Sequence, residues 1–153
     1  MPAWSEAQAS EIIRRHADSE GALLPILHDI QAEFGHVPAP AIPFIADALN
    51  LTRAEVHGVV SFYHDFRDKP AGRHVLKLCR AEACQSVNGE KLAQQILDRF
   101  GVEWGGTTPD GRLTVEAVYC LGLCASGPSG MLNGEPMARL NLDSINDIAR
   151  EVG

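Results

Sequence analysis

The sequence lacks any long apolar run, which excludes a membrane-spanning helix, because such a helix needs about 20 consecutive apolar residues. It also lacks a basic run, and its formal net charge is -7. A chain of that charge is a poor partner for nucleic acid or for an anionic membrane surface. The first ten residues, MPAWSEAQAS, contain neither a basic stretch nor the apolar core of a secretory signal, so we expect a cytoplasmic protein.

Nucleotide-binding motifs are missing as well. The chain contains no G-x-G-x-x-G turn and no P-loop lysine. Any hydride chemistry would therefore have to occur in another subunit, and we expect this chain not to be catalytic alone. What is present is ordinary for a globular protein: 153 residues, of which 45% are hydrophobic and 22% are charged.

The first 70 residues carry the signals of helices. Ser5 with Gln8, and Thr52 with Glu55, fit the capping box, in which a hydroxyl and a later side chain bind free amides at a helix start. Gly35 is placed to end a helix whose apolar residues recur on one face. The patterns predict helices after Ser5 and Thr52, and two more within LLPILHDIQAEFG and AIPFIADALN.

The pattern changes in RDKPAGRH, which is typical of a linker. HVLKLC alternates apolar and polar residues as a strand does, and RLTVEAVYC is predicted as a second strand. NGEKLAQQILDRFG and LDSINDIAREVG are helical, the latter with Asp143 as the expected cap. Asn133-Gly134 predicts a tight hairpin. The expected order after residue 72 is therefore β-α-β-β-β-α, a compact α/β unit.

All four cysteines lie where the two predicted strands run out into loops: Cys79, Cys84, Cys120 and Cys124. They form two pairs, C-x4-C and C-x3-C. In a reducing cytoplasm, clustered cysteines bind metal more often than they form disulfides. Amides at the start of the following helix would favour the thiolate of the second cysteine. Three glycines in the loop that carries the second pair would let backbone amides approach an anionic group: Gly122, Gly127 and Gly130.

Four uses of the cysteines compete at this point. Small buried core residues are one, but the cysteines fall in polar and glycine-rich loops. A thioredoxin-like redox enzyme with a reducible disulfide would favour C-x-x-C, which is absent. Structural zinc takes four thiolates at spacings within reach of these. A [2Fe-2S] cluster needs two cysteines for each iron. Spacing alone leaves zinc and the [2Fe-2S] cluster open.

Longer motifs resemble a known family. GALLPILHDIQAEFGHVP, GVVSFYHDF, the C-x4-C pair and YCLGLCASGP are similar to the 24 kDa subunit family of respiratory complex I, from about Gly21 onward. The resemblance implies an α+β protein: a helical bundle over residues 1–70, then a thioredoxin-like α/β [2Fe-2S] ferredoxin domain over residues 71–153. It implies one [2Fe-2S] cluster, with these ligands: Cys79, Cys84, Cys120 and Cys124. We expect the first pair on one iron and the second pair on the other.

CRAEACQSV most resembles the gamma subunit of soluble, molybdenum-dependent, NAD-linked formate dehydrogenase. The resemblance implies two partners: a flavin subunit that carries FMN and the NAD site, and a subunit that oxidises formate at a molybdenum cofactor. Alternatives are the equivalent subunit of complex I or of an NAD-linked hydrogenase, and a zinc-stapled subunit that only tethers its partners.

Several residues near the cysteines are candidates for influencing the cluster. Arg80 and Gly122 are candidates for tuning the cluster potential, with a solvated surface arginine as the competing interpretation of Arg80. Ser126 and Ser129 depart from the family pattern at positions where relatives vary. We expect this departure to leave the ligands unaffected and to change the hydrogen bonds of the cluster.

The aromatic segment SFYHDF lies just before the linker. We expect Phe62, Tyr63 and Phe66 to belong to the core of the helical bundle rather than to a partner contact. The bundle itself has ten Asp or Glu residues against five Lys or Arg. Docking to a partner, through apolar faces and complementary charge, is therefore its expected work.

Overall fold

A computed structural model describes residues 3–153. The chain separates into two units, the first ending at Pro70 and the second running from Ala71 to Gly153. Each unit has its own cluster of buried hydrophobic side chains. Within residues 3–153, no helix combines the length and the apolar character needed to cross a bilayer.

The first unit contains four described helices: α1 (Glu6–Arg15), α2 (Leu23–Phe34), α3 (Ala41–Leu49) and α4 (Arg53–Phe62). Their boundaries follow local chemistry. Gly35 ends α2 in a left-handed conformation, with φ 76°. Thr52 and Glu55 form the complete capping box at the start of α4. Apolar residues at helical spacing on α2 face inward, and Ile30 and Phe34 are fully buried.

The predicted capping box at Ser5 is only half present. The Ser5 hydroxyl accepts the Gln8 N–H at 3.4 Å, so α1 does begin there. The Gln8 side chain does not reach back to Ser5; its amide donates to the Glu33 carboxylate on α2 at 2.7 Å. The Gln8 side chain therefore makes a contact between α1 and α2 instead of completing the local capping box. Sequence spacing cannot reveal such a contact.

The three aromatic residues at and just after the end of α4 differ in their exposure to solvent. Phe66 is buried, as expected for a core residue. The same expectation is wrong for its two neighbours, because Phe62 is 75% exposed and Tyr63 is 44% exposed. The two exposed rings pack edge to face on each other, with their centroids 5.1 Å apart. They form a small exposed aromatic patch at the end of α4.

The second unit is built on a four-stranded sheet with two longer helices. Its elements are β1 (His74–Cys79), α5 (Glu82–Ser86), α6 (Gly89–Phe100), β2 (Leu113–Val118), β3 (Gly130–Leu132), β4 (Glu135–Met137) and α7 (Leu142–Val152). The strand order is β2-β1-β3-β4. β1 pairs with β2 in parallel and with β3 antiparallel, and β3 and β4 form the predicted hairpin. The predicted order of the strands and the two longer helices is confirmed.

Three local expectations in this unit are wrong. The structure adds α5, which is too short for its apolar spacing to show in the sequence. The cap of α7 is Asn141 rather than Asp143, because the Asn141 side chain accepts the N–H groups of Asp143 and Ser144. Gly130 is not a loop glycine but the first residue of β3, paired with Leu78.

A polar turn before β2 depends on Asp110. Hydrogen bonds from the Thr108 hydroxyl and the Arg112 amide, together with the Arg112 guanidinium, lower the pKa of Asp110 to about 2. Because the folded-state pKa lies below the ordinary value near 4, this stabilisation is complete above about pH 4 and is lost as the pH falls toward 2. We expect Asp110→Asn to lower the unfolding temperature at pH 7, and the difference from wild type to shrink as the pH falls toward 2. Thermal unfolding at several pH values checks this; a deficit as large at pH 2 as at pH 7 would contradict it.

Candidate metal centre

The sheet brings the two cysteine loops together. β1 and β2 are parallel, and the last residues in register are Cys79 and Val118. Both strands therefore end at the same edge of the sheet, and the loop after each begins there. The Arg80 N–H donates to the Val118 carbonyl at 2.8 Å and holds the two loops side by side.

The first pair is buried. Cys79 is the last residue of β1, and Cys84 lies on α5, with 6% and 2% exposed respectively. Gly127, from the second loop, approaches so closely that a Cβ built there would lie 3.3 Å from Cys84 Sγ. The second loop thus packs directly against the thiol of the first, and a side chain at position 127 would require these neighbours to shift.

The second pair is exposed. Cys124 begins a short 3-10 turn, Cys124–Ser126, and its Sγ lies 3.5 Å from Cys120 Sγ. That separation is far longer than the roughly 2.05 Å of a disulfide bond. The Gly122 N–H donates to Cys120 Sγ at 3.3 Å. Cys120 has a positive φ of 91°, which non-glycine residues seldom adopt and which is typical of functional sites.

The surroundings of Cys79 favour its thiolate. Burial raises the pKa of the Cys79 thiol, but hydrogen bonds from the Ala81 and Cys120 backbone and from the Cys84 and Ser129 side chains outweigh burial. The net effect is a pKa below the ordinary cysteine value. Donors aimed at a sulfur atom are the feature that a metal-bound thiolate needs.

Cys124 shows the opposite effect. A hydrogen bond to Cys120 raises the pKa of the Cys124 thiol, and repulsion from the thiolates of Cys120, Cys84 and Cys79 raises it further. The thiols of both pairs are therefore close enough to affect one another. Bringing all four to their anionic form requires a positive charge among them, which is what a metal centre supplies.

The donor set fits an iron–sulfur cluster. Four thiolates in two pairs would supply two sulfur ligands for each of two irons, and an amide and a hydroxyl lie within hydrogen-bonding distance of the sulfurs. Within residues 3–153, no three His, Cys, Asp or Glu side chains lie close enough together to hold a metal ion as they stand.

Arg80 is positioned differently from either expectation. Its guanidinium pairs with Glu90 on α6 at 3.1 Å and lies 4.8 Å from the centre of the Trp104 ring. Its carbonyl accepts the Gln85 side-chain amide at 2.6 Å. The residue is thus neither freely solvated nor aimed at a thiol, and it fixes the first cysteine loop to α6. The pairing with Glu90 offsets the charge of Arg80, and the tuning role expected of this residue stays a prediction.

Gly89 allows α6 to start directly beside α5. A Cβ at this position would lie 2.6 Å from the Cys84 carbonyl oxygen, which is closer than any real contact. We expect Gly89→Ala to push α5 away, to destabilise the second unit by about 1–3 kcal/mol and to hasten loss of the metal centre. Thermal unfolding and the rate of iron release measure the two effects.

Gly58→Ala is the matched control for this substitution. A Cβ at Gly58 meets nothing within 4 Å, and the residue lies inside α4, where alanine is the better helix former. We expect this variant to be as stable as wild type or slightly more so. Equal stability of Gly89→Ala and Gly58→Ala would show that α5 yields without cost.

Comparison with known proteins gives this site a context. The sequence model of the thioredoxin-like [2Fe-2S] ferredoxin family matches residues 9–153. A subunit of the NADH-quinone oxidoreductase of Mycobacterium tuberculosis is 36% identical over 130 residues, which cover 85% of this chain and 52% of that protein. The chain therefore spans about half the length of this relative.

Other relatives are nearer in length. The corresponding NADH-quinone oxidoreductase subunit of Escherichia coli is 34% identical over 146 residues, covering 94% of this chain and 87% of its own. The HndA subunit of the NADP-reducing hydrogenase of Solidesulfovibrio fructosivorans is 30% identical, covering 92% and 82%. Among solved structures, an NAD+-reducing [NiFe]-hydrogenase superposes with a TM-score of 0.70 at 25% identity, over 82% of this chain and 22% of that one.

Proposed function

This chain belongs to the thioredoxin-like [2Fe-2S] ferredoxin family, whose cofactor is a [2Fe-2S] cluster, and from that premise we propose that it is an electron-transfer subunit of an NAD-linked oxidoreductase complex. The observation that carries the proposal is the meeting of two cysteine pairs at one edge of the sheet. When bound, the cluster carries one electron at a time.

We assign the four ligands by their pairing. Cys79 and Cys84 hold the inner iron, and Cys120 and Cys124 hold the outer iron. The support is the burial of the first pair and the exposure of the second, together with the contacts between thiols inside each pair. Gly122 contributes through its backbone N–H, which donates to Cys120 Sγ. We propose that this hydrogen bond is the means by which Gly122 tunes the reduction potential of the cluster.

The division into buried and exposed thiols indicates where electrons pass. The protein covers the inner pair and leaves Cys120 and Cys124 open to a neighbour. A redox partner seated on this edge would come closest to the outer iron. We assign that place to the subunit that carries FMN and the NAD site.

The parent complex is a further part of the proposal. The relatives are subunits of NADH-quinone oxidoreductases and of hydrogenases. CRAEACQSV, over residues 79–87, favours a soluble NAD-dependent formate dehydrogenase, in which a molybdenum and iron–sulfur subunit oxidises formate. An NAD-reducing hydrogenase is the second candidate for the parent complex, because a solved structure of such an enzyme shares the fold over 82% of this chain.

Docking is the role proposed for the helical unit over residues 1–70. The exposed aromatic patch of Phe62 and Tyr63 is the kind of surface that partner proteins cover. Acidic residues outnumber basic ones two to one in this segment, which favours a partner face with basic residues.

Metal analysis tests the cofactor assignment. We expect the purified chain to be red-brown and to contain about two irons and two acid-labile sulfides. A colourless protein with one zinc per chain would establish the structural alternative instead.

Purification from the native cell tests the complex. A tagged chain should bring down a flavin subunit and a molybdenum subunit, and the eluate should reduce NAD with formate. Reduction with hydrogen but not with formate would assign the hydrogenase.

A further inference from the structure

A buried serine lies against the inner cysteine pair. The Ser129 side chain is 2% exposed, and its Oγ lies 3.4 Å from Cys84 Sγ. The Ser129 carbonyl accepts the Cys79 N–H at 3.0 Å, at the junction of β1 and β3. The backbone therefore fixes the hydroxyl beside both thiols of one iron, and nothing in the ligand assignment explains its presence.

On the premise of the proposed ligand set, we propose that the Ser129 hydroxyl, which is within reach of both inner thiolates, donates its single hydrogen bond to the inner pair through its contact with Cys84 and thereby raises the reduction potential of the cluster. An iron-bound thiolate carries no proton, so the sulfur can only accept and the hydroxyl must donate. Reduction adds negative charge to the cluster and its sulfur ligands. A donor therefore stabilises the reduced state more than the oxidised state.

The surroundings make this hydrogen bond hard to replace. Gly127 packs against the Cys84 thiol and against Val87, where an added Cβ would approach to 3.3 Å and 3.2 Å respectively. Ser129 itself is 2% exposed, so solvent has little access to the space that its hydroxyl occupies. In Ser129→Ala the sulfur would lose a donor that solvent could not supply, and burial strengthens the effect of that loss.

The test is a redox titration of the full-length, cluster-loaded chain, followed by electron paramagnetic resonance. Ser129→Ala should disfavour reduction at least threefold, a fall in potential of about 28 mV, since a tenfold change is about 59 mV for one electron. Ser129→Thr, which keeps the hydroxyl, should stay at the wild-type potential. In D2O, wild type should show a coupling to an exchangeable deuteron that Ser129→Ala lacks.

Ser126→Ala is the control, because Ser126 lies in the same loop but is only partly buried, and the hydrogen bonds to cysteine sulfur in the described residues do not involve its hydroxyl. Its potential should match wild type. A wild-type potential in Ser129→Ala would overturn the inference, as would an equal shift in Ser126→Ala. If Ser129→Ala does not hold a cluster, the potential of Ser129→Gly is measured instead, and a wild-type value there would overturn the inference. A wild-type chain without a [2Fe-2S] signal would overturn the proposed function, and this inference with it.

Discussion

Cys84→Ser should lose the cluster, with iron falling from about two per chain to nearly none, while the helical unit stays folded. Thiolate is a far better iron ligand than a serine hydroxyl. The substitution is almost isosteric, so the close packing of Gly127 and Ser129 around position 84 is kept. All four cysteines belong to the second unit, and the first unit has its own core. Iron analysis and circular dichroism measure the two effects.

Ser86→Ala controls for disturbance of α5. Ser86 lies on the same short helix, and its hydroxyl donates to the Ala83 carbonyl rather than to a thiol. We expect this variant to keep its iron and its visible spectrum. If Cys84→Ser kept its full iron content and an unchanged spectrum, Cys84 would have to be removed from the ligand set.

Elements with a clear local code were predictable from the sequence. Apolar spacing and Gly35 define α2, and Asn133-Gly134 defines the hairpin between β3 and β4. The α5 helix escaped prediction because five residues contain too little of a helical repeat. The predicted cap of α7, Asp143, lies two residues after the observed cap, Asn141. Several polar residues there can serve as a cap, and the backbone conformation determines which one does.

The candidate site was predictable in composition but not in environment. All four cysteines lie at the end of β1 or in the segments that follow β1 and β2, as the sequence predicts, and their ligation stays a prediction. The contact between Cys84 and Ser129 joins residues 45 apart in the chain, so it depends on the pairing of β1 with β3. The contacts of Arg80 with Glu90 and Trp104 likewise depend on how separate elements pack. Tertiary contacts of this type have no local signature.

Removal of residues 1–70 should keep the chromophore but weaken binding to the flavin subunit at least tenfold, or about 1.4 kcal/mol. Residues 71–153 contain all four cysteines and a separate hydrophobic cluster. Cluster binding adds stability to the folded form of a unit this small. Absorbance of the purified fragment tests the first part, and titration against the flavin subunit tests the second. A colourless fragment would show that the two units depend on each other to fold.

Point substitutions in the full chain locate the docking surface. Replacing both Phe62 and Tyr63 by alanine should weaken binding by a similar factor, because exposed aromatic residues dominate interfaces when a partner covers them. The change removes side chains that few contacts hold in the free chain, so the unfolding temperature should stay near wild type. Arg14→Ala, on α1 and with 75% of its side chain exposed, is the matched control and should bind normally. Undiminished binding by the double variant and by the fragment would assign the interface to the cluster unit alone.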